Sequence, residues 1–155
     1  KKLIDNIKFR SDIVNLYFVK TKIHGENEMY CSATTPLDEV AYKIGYYYRD
    51  PLKRSKKYIE EVIPHLKVKR GIAYVIEQNI LLQFNEYLLT NYITQHGHRC
   101  DGYYEMFSLH IDLEVIIKKI TSLNKIFNNF NDKEIVNNIY SLKELRFNKF
   151  KKSSN

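Results

Sequence analysis

A short β-prone run that closes on a glycine, residues 40–45, places the strongest constraint on how this chain can fold. A second β-prone run lies upstream at residues 28–32. Proline and small polar residues separate the two runs, so we expect them to form a hairpin. Asp50 and Pro51 then supply an N-cap and a first helical position, which predicts that residues 52–58 begin a helix. Together these signals predict a fold that mixes strands with helices.

Hydrophobic periodicity predicts the other elements. Residues 13–19 favour a strand, which we interpret as part of an N-terminal extension packed on the main body. The remaining predicted elements are strands at residues 65–69 and 103–109 and helices at residues 72–92, 113–127 and 132–147. Asp112 is the expected cap of the second of these helices. The basic tail, residues 149–155, is expected to fray.

Composition favours an anionic partner. The chain has 155 residues, 44% of them apolar, which is enough for one domain with a buried core. Its net charge is +7 and its isoelectric point is about 9.2. The 13 tyrosines and 8 phenylalanines offer faces on which nucleobases stack, so a nucleic acid is the leading partner. An AT-rich genome, which enriches lysine and tyrosine, is the alternative source of this composition.

Several classes of protein are not supported by the sequence. Two cysteines, Cys31 and Cys100, do not make a disulfide framework, which favours a reducing compartment. No apolar run reaches the ~18 residues of a membrane span, and no signal-peptide pattern opens the chain. We therefore expect a soluble intracellular protein, in the cytoplasm or nucleus, without a membrane partner. Since no phosphate-cradling glycine loop occurs, we expect no nucleotide cofactor.

An ordered set of tyrosine, glycine, arginine and glutamate positions runs through the first half of the chain: Met29, Tyr30, Tyr42, Lys43, Ile44, Gly45, Arg54, Tyr58 and Glu77. The set resembles the GIY-YIG endonuclease superfamily, particularly a branch in large DNA viruses and phages whose second motif reads KIG. The resemblance implies an α/β fold of the α+β type, with a small, mainly antiparallel three-stranded sheet flanked by helices and extra C-terminal helices. Residues 1–27 are then an extension, residues 28–120 the core, and residues 121–155 a C-terminal helix with a basic tail.

The resemblance also implies a role for each matching residue. Tyr30 would act as a general base or orient the attacking water. Lys43 stands in the place of the second motif's tyrosine, with Tyr42 beside it. Arg54 would hold the scissile phosphate, which a planar guanidinium can grip through two oxygens. Tyr58 lies one helical turn further on, so it would meet the same phosphate.

Glu77 is the metal ligand that the resemblance implies, with Mg²⁺ or Mn²⁺ as the cofactor. Because Mg²⁺ keeps most of its water and often takes one or two carboxylates, Glu77 alone would suffice. The alternative is a salt bridge from Glu77 to Lys69 or Arg70. A basic cluster around the predicted arginine helix is expected to attract DNA phosphates; it consists of Arg49, Lys53, Lys56 and Lys57.

Alternatives remain for two of these positions. Arg54 stands one residue later than the commonest spacing, so Arg49 is a second candidate for the phosphate ligand. Residues 16–18 (Leu-Tyr-Phe) could replace Tyr30 as the first motif, but their distance from Gly45 is long for a hairpin, and we prefer Tyr30.

The expected activity is metal-dependent hydrolysis of a DNA phosphodiester. The first alternative is a nucleic-acid-binding module that keeps the same scaffold and has lost catalysis. The second is a helical viral protein that binds a host partner, because the C-terminal third of the chain is strongly helical in pattern.

Overall fold

The computed structural model describes residues 12–23, 40–49, 59–89 and 105–153. In chain order these residues form β1 (Ile13–Lys22), β2 (Val40–Tyr47), β3 (Ile59–Lys69), α1 (Arg70–Gln83), a 3-10 turn (Asn85–Tyr87), β4 (Met106–Phe107), α2 (Leu113–Phe127) and α3 (Asp132–Ser153). The predicted α+β fold is confirmed: an antiparallel sheet is followed by helices. The described sheet has four strands, one more than predicted.

β1 lies inside the sheet, whose strand order is β3-β1-β2-β4. It pairs antiparallel with β2 on one edge and with β3 on the other. The prediction that this segment is an extension is therefore wrong for the residues that the structure describes. The physical reason is that residues 13–19 carry no charged side chain, so the strand can be buried on both faces.

β2 pairs with β1 along its whole length, and Gly45 lies opposite Tyr17 in this register. On its other edge, β2 pairs with β4 only at Tyr42 and Lys43. Within the described residues, the β2 edge beyond Lys43 therefore has no strand beside it. The hairpin partner that we predicted for β2, residues 28–32, lies outside the described part of the chain.

β3 is an edge strand, and it begins earlier than the predicted residues 65–69. The pairing of β3 with β1 is irregular between Leu16 and Phe18, where β3 contains Pro64. Proline is tolerated at a sheet edge or at a bulge because it has no N–H to donate to a ladder. The irregularity faces Tyr17, and bulges of this kind change the direction of neighbouring side chains.

The core lies between one face of the sheet and the three helices. Val14, Leu16 and Phe18 of β1 and Ile44 of β2 contribute the sheet side of this core. The helices contribute apolar side chains that include Ile72, Ile76 and Ile80 of α1, Ile116 and Ile120 of α2, and Ile135 and Ile139 of α3. Because α1 packs against the sheet and against both other helices, its position sets that of every side chain it carries.

Local capping explains where two of the helices begin. The Asp112 carboxylate accepts hydrogen bonds from the N–H groups of Glu114 and Val115, at 3.0 and 3.3 Å, which confirms the predicted cap of α2. Asn131 and Glu134 cap the start of α3 reciprocally, each accepting from the other's backbone N–H at 2.9 and 3.2 Å.

Two helices end at residues that differ from the predictions. α1 ends at Gln83 instead of residue 92, because Phe84 leaves helical geometry and the chain turns at residues 85–87 before it bridges to β4. α3 continues to Ser153, through most of the tail that we expected to fray. None of the described helices has the length and apolar character needed to cross a membrane.

Candidate functional site

A groove of about 610 Å³ lies along the β2 edge beyond Lys43, where side chains from both faces of the sheet meet α1 and the start of β4. Five tyrosines line it: Tyr17, Tyr46, Tyr47, Tyr48 and Tyr74. Four charged side chains line it as well: Lys43, Arg70, Glu77 and Glu105. The groove therefore combines aromatic rings with both signs of charge, in a volume typical of small-ligand sites.

Gly45 allows the Tyr17 side chain to cross β2 and reach the groove. A Cβ atom at position 45 would lie 2.5 Å from the Tyr17 hydroxyl oxygen and 2.7 Å from its Cζ atom, closer than real Cβ atoms come. The Tyr17 side chain is only 7% exposed, so its ring is held in this position by its neighbours. The glycine at the end of the β-prone run is thus required by the close approach of a tyrosine from the neighbouring strand.

One face of α1 lines the groove, through Arg70, Tyr74, Glu77 and Gln78; we call this the groove face of α1. Residues at these spacings lie on one side of an α-helix. Glu77 and Gln78 are each only 5% exposed, and the Gln78 side-chain amide donates a hydrogen bond of 3.2 Å to the Glu77 carboxylate. Burial of a carboxylate is costly unless hydrogen bonds or cations compensate for the lost water.

Arg70 brings a positive charge to the tyrosine-rich end of β2. Its guanidinium carbon lies 5.9 Å from the ring centroid of Tyr46 and 5.0 Å from that of Tyr48, distances at which a cation is attracted to an aromatic face. The guanidinium also donates a hydrogen bond to the Tyr48 hydroxyl. Arg70 begins α1 directly after β3, and its backbone N–H donates to the Asp12 carbonyl at 2.7 Å, which fixes where the helix starts.

Tyr46 stays protonated under physiological conditions. Burial of its hydroxyl, and next the negative charge of Glu77, raise the pKa of Tyr46 from 10.0 to about 12, while Arg70 acts in the opposite direction. The charges of Glu77 and Arg70 therefore both change the pKa of the Tyr46 hydroxyl. A neutral phenol can donate a hydrogen bond, but it cannot act as a phenolate base near pH 7.

β4 adds Glu105 to the groove. Met106 pairs with Lys43 in the sheet, and Glu105 directly precedes it, so the β2–β4 pairing brings the carboxylate to the lysine end of the groove. Together, Glu77 and Glu105 place two carboxylates in one groove with Lys43 and Arg70.

The structure brings together two of the residues predicted for the site, Lys43 and Glu77, which line the same groove. Tyr42 does not line it. Successive side chains of a strand alternate between the two faces, so Tyr42 points into the core and stacks on Phe18, with 5.6 Å between ring centroids. Its contacts in the structure are those of a packed side chain, and its place in the site stays a prediction.

Arg49 is exposed in the bend after β2 and is not a lining residue of the groove; its carbonyl accepts a hydrogen bond of 2.9 Å from the Asn15 side chain. The other predicted residues, which are Tyr30, Lys53, Arg54, Lys56, Lys57 and Tyr58, lie outside the described residues.

Several groove residues were not predicted for the site or were ranked second, among them Tyr17 and Arg70. Tyr17 belongs to the alternative first motif, and the β1–β2 pairing explains why it reaches the groove although it is distant from Gly45 in the chain. Arg70 was considered only as a salt-bridge partner of Glu77. The spacing of Arg70, Tyr74, Glu77 and Gln78 along a predicted helix is the signal that could have identified it.

Carboxylates line the groove, but the part of the chain that the structure describes contains no larger cluster of metal-ligating side chains. Among the described residues, no group of three or more histidine, cysteine, aspartate or glutamate side chains is placed to hold a metal ion. Glu77 and Glu105 nevertheless supply carboxylates to one groove, and Mg²⁺ is commonly held by one or two carboxylates with water in its remaining positions.

Comparisons with protein families, with curated proteins and with solved structures find no match for this chain.

Proposed function

We propose that this protein is a metal-dependent endonuclease that hydrolyses DNA phosphodiester bonds in the groove, in the manner of the GIY-YIG enzymes it resembles. The observation that carries the proposal is the buried carboxylate of Glu77, which shares one groove with Lys43, Arg70 and Tyr17. Phosphodiester hydrolysis requires a positioned water and positive charge near the nonbridging oxygens; in this proposal Tyr17 and Glu77 position the water and Lys43 and Arg70 supply the positive charge.

Arg70 and Lys43 are the phosphate-binding residues in this proposal. The guanidinium of Arg70 offers several N–H donors in one plane, which matches two oxygens of a phosphate. The ammonium of Lys43 extends from β2 on the same side of the sheet as Tyr17 and adds a second positive charge. Arg70 thus takes the role that the resemblance assigns to Arg54, on the evidence of its place in the groove.

Glu77 would hold the metal ion, with Glu105 as a second oxygen ligand. When bound, Mg²⁺ or Mn²⁺ would supply Lewis-acid stabilisation of the charge that grows on the phosphate. Tyr17, held over Gly45, would orient the attacking water through its hydroxyl oxygen, the role that the resemblance assigns to Tyr30. Tyr46 is unsuited to be the base because its pKa is about 12, so it would act as a hydrogen-bond donor.

Nicking of supercoiled and branched DNA with and without Mg²⁺ tests this function. We expect metal-dependent nicking that falls by at least about 100-fold in Glu77→Gln, since the amide keeps the shape of the side chain and loses the charge that binds the metal. Glu114→Gln is the matched control, because Glu114 is exposed on α2 and is not a lining residue of the groove. No nicking with any divalent metal, or equal nicking by Glu77→Gln and the unsubstituted protein, would overturn the proposal.

A DNA-binding module without catalysis is the second candidate. It is favoured by Lys43, which stands where the resembled family has a tyrosine and could bind a phosphate without taking part in chemistry. This candidate predicts DNA binding that weakens steeply with salt and does not depend on metal. In it, Lys43→Gln would lower the dependence of log affinity on log salt by about one unit, whereas Lys118→Gln, an exposed lysine on α2, would not.

A further inference from the structure

Tyr48 projects from the mouth of the groove at the end of β2. Its side chain is 51% exposed, although it is a large aromatic residue that also lines the groove. A tyrosine that served only to pack would bury its ring in the core, as Tyr42 does. The exposed ring of Tyr48 therefore offers an aromatic face to a ligand in the groove.

Arg70 holds this exposed ring in place. Its guanidinium lies 5.0 Å from the centroid of the Tyr48 ring and also donates a hydrogen bond to the Tyr48 hydroxyl. Two contacts from one side chain restrict the rotation of the ring, so less conformational entropy is lost when a ligand stacks on it. Because Arg70 also reaches the groove, the ring lies beside a cation suited to a phosphate.

We propose that Tyr48 is a stacking platform for an unpaired nucleobase, so that the groove binds single-stranded DNA, or an unpaired segment, in preference to intact duplex. In a duplex each base face is covered by its neighbours, and only an unpaired or terminal base can lay its face on a tyrosine ring. Arg70 and Lys43 hold the adjoining phosphate. A volume of about 610 Å³ accommodates one nucleotide.

This inference rests on the proposed function for the identity of the ligand, but it concerns the base and not the cleaved bond. It requires that the ligand carry a base that can stack on Tyr48. The contribution of Tyr48 must depend on the presence of a base, whereas contributions from Lys43 and Arg70 depend on phosphate charge.

Fluorescence anisotropy in calcium, with three labelled DNAs of one sequence, tests the platform. The DNAs are a single strand, the matching blunt duplex, and a single strand in which abasic nucleotides replace the normal ones. We expect the single strand to bind most tightly, and Tyr48→Ala to weaken its binding by about fivefold or more. Tyr48→Phe, which keeps the ring, should bind the single strand within about twofold of the unsubstituted protein.

The abasic strand and a second tyrosine serve as controls. Tyr48→Ala should leave binding of the abasic strand unchanged, because that strand has no base to stack. Tyr140→Ala removes a partly exposed tyrosine on α3 that is not a lining residue of the groove, and it should leave all three affinities unchanged. Equal loss of duplex and single-strand affinity in Tyr48→Ala, or equal binding of abasic and normal strands, would overturn the platform.

Two further measurements, competition by a nucleoside monophosphate and the nicking assay, distinguish this inference from its alternatives. If a nucleoside monophosphate competes as well as the oligonucleotide does, the ligand is a free nucleotide and the proposal of a DNA strand is wrong. The nicking assay is read separately from binding. Base-dependent binding without nicking supports the platform and removes the nuclease. Nicking with base-independent binding supports the nuclease and removes the platform.

Discussion

The two faces of α1 differ in what they bury. One face carries Ile72, Ile76 and Ile80, which are buried between the sheet and the other helices; we call this the apolar face of α1. The groove face buries Glu77 and Gln78 almost as completely. Burial of apolar side chains stabilises the fold, whereas burial of a carboxylate opposes it. In the proposed function, the buried charge of Glu77 beside the groove serves to bind a ligand.

The largest effect on stability is expected on the apolar face. Ile76→Ala should lower the free energy of unfolding by about 2–5 kcal/mol, because Ile76 is fully buried and the alanine leaves a cavity. Denaturant unfolding followed by circular dichroism measures this change. Val115→Ala, at an exposed position on α2, is the control and should change the free energy by less than about 0.5 kcal/mol. A similar loss of unfolding free energy in both variants would contradict the burial of Ile76 in the core.

Gly45→Ala should lower the free energy of unfolding by about 1–3 kcal/mol, because its Cβ would collide with the buried Tyr17 ring. DNA binding should weaken with it, since Tyr17 would be displaced from the groove. The double variant with Tyr17→Ala tests the cause. The cost of Gly45→Ala should nearly vanish when Tyr17 is already truncated, and equal costs in the two backgrounds would show that the close approach is unimportant.

Glu77→Gln should affect stability far less than Ile76→Ala does. We expect a change in the free energy of unfolding of less than about 1 kcal/mol, or a gain, because the amide keeps the shape of the side chain without a buried charge. Chemical denaturation at neutral pH measures it. A loss comparable to that of Ile76→Ala would instead mean that Glu77 forms a structural ion pair, as in the alternative with Arg70, and would weaken the contrast between the two faces.

At neutral pH the titration of the Tyr46 hydroxyl has no effect on stability, and its effect appears only at high pH. The folded pKa of Tyr46 is raised from 10.0 to about 12, so its contribution to stability is fully present below pH 10 and is lost as the pH rises towards 12. Tyr46→Phe should remove the part of the fall in stability at high pH that comes from deprotonation of this hydroxyl. Unfolding measured at several values between pH 9 and pH 12 checks it, with Tyr140→Phe as the control. An unchanged decline in Tyr46→Phe would show that the hydroxyl is not perturbed.

Features that depend on neighbouring residues could be predicted well from the sequence. α2 begins after its capping aspartate, Asp112, and ends at Phe127, as the apolar period predicted, because cap and period are both local. The strand that ends near Gly45 and the helix that carries Glu77 were predicted for the same reason. The residue at which α1 ends was not predicted, because the turn after α1 depends on pairing with β4.

Only some of the residues that line the groove could be predicted from the sequence. Lys43 and Glu77 were predicted from their order along the chain, and both line the groove. Tyr17 was ranked below Tyr30 because a short connection between paired strands was assumed, whereas the chain places many residues between β1 and β2. Glu105 comes from a part of the chain remote from the other groove residues, so no local pattern points to it.

The sequence by itself determined the class of fold, the helix that carries Glu77 and the glycine that ends the β-prone run, because propensity, capping and periodicity act over a few neighbouring residues. Only the tertiary structure decided which tyrosine crosses Gly45 and which cations share a groove with the buried carboxylate. Strand register and helix packing join residues that are far apart in the chain, and they depend on how the whole core is filled. The physics that selects those contacts is therefore not contained in any one segment.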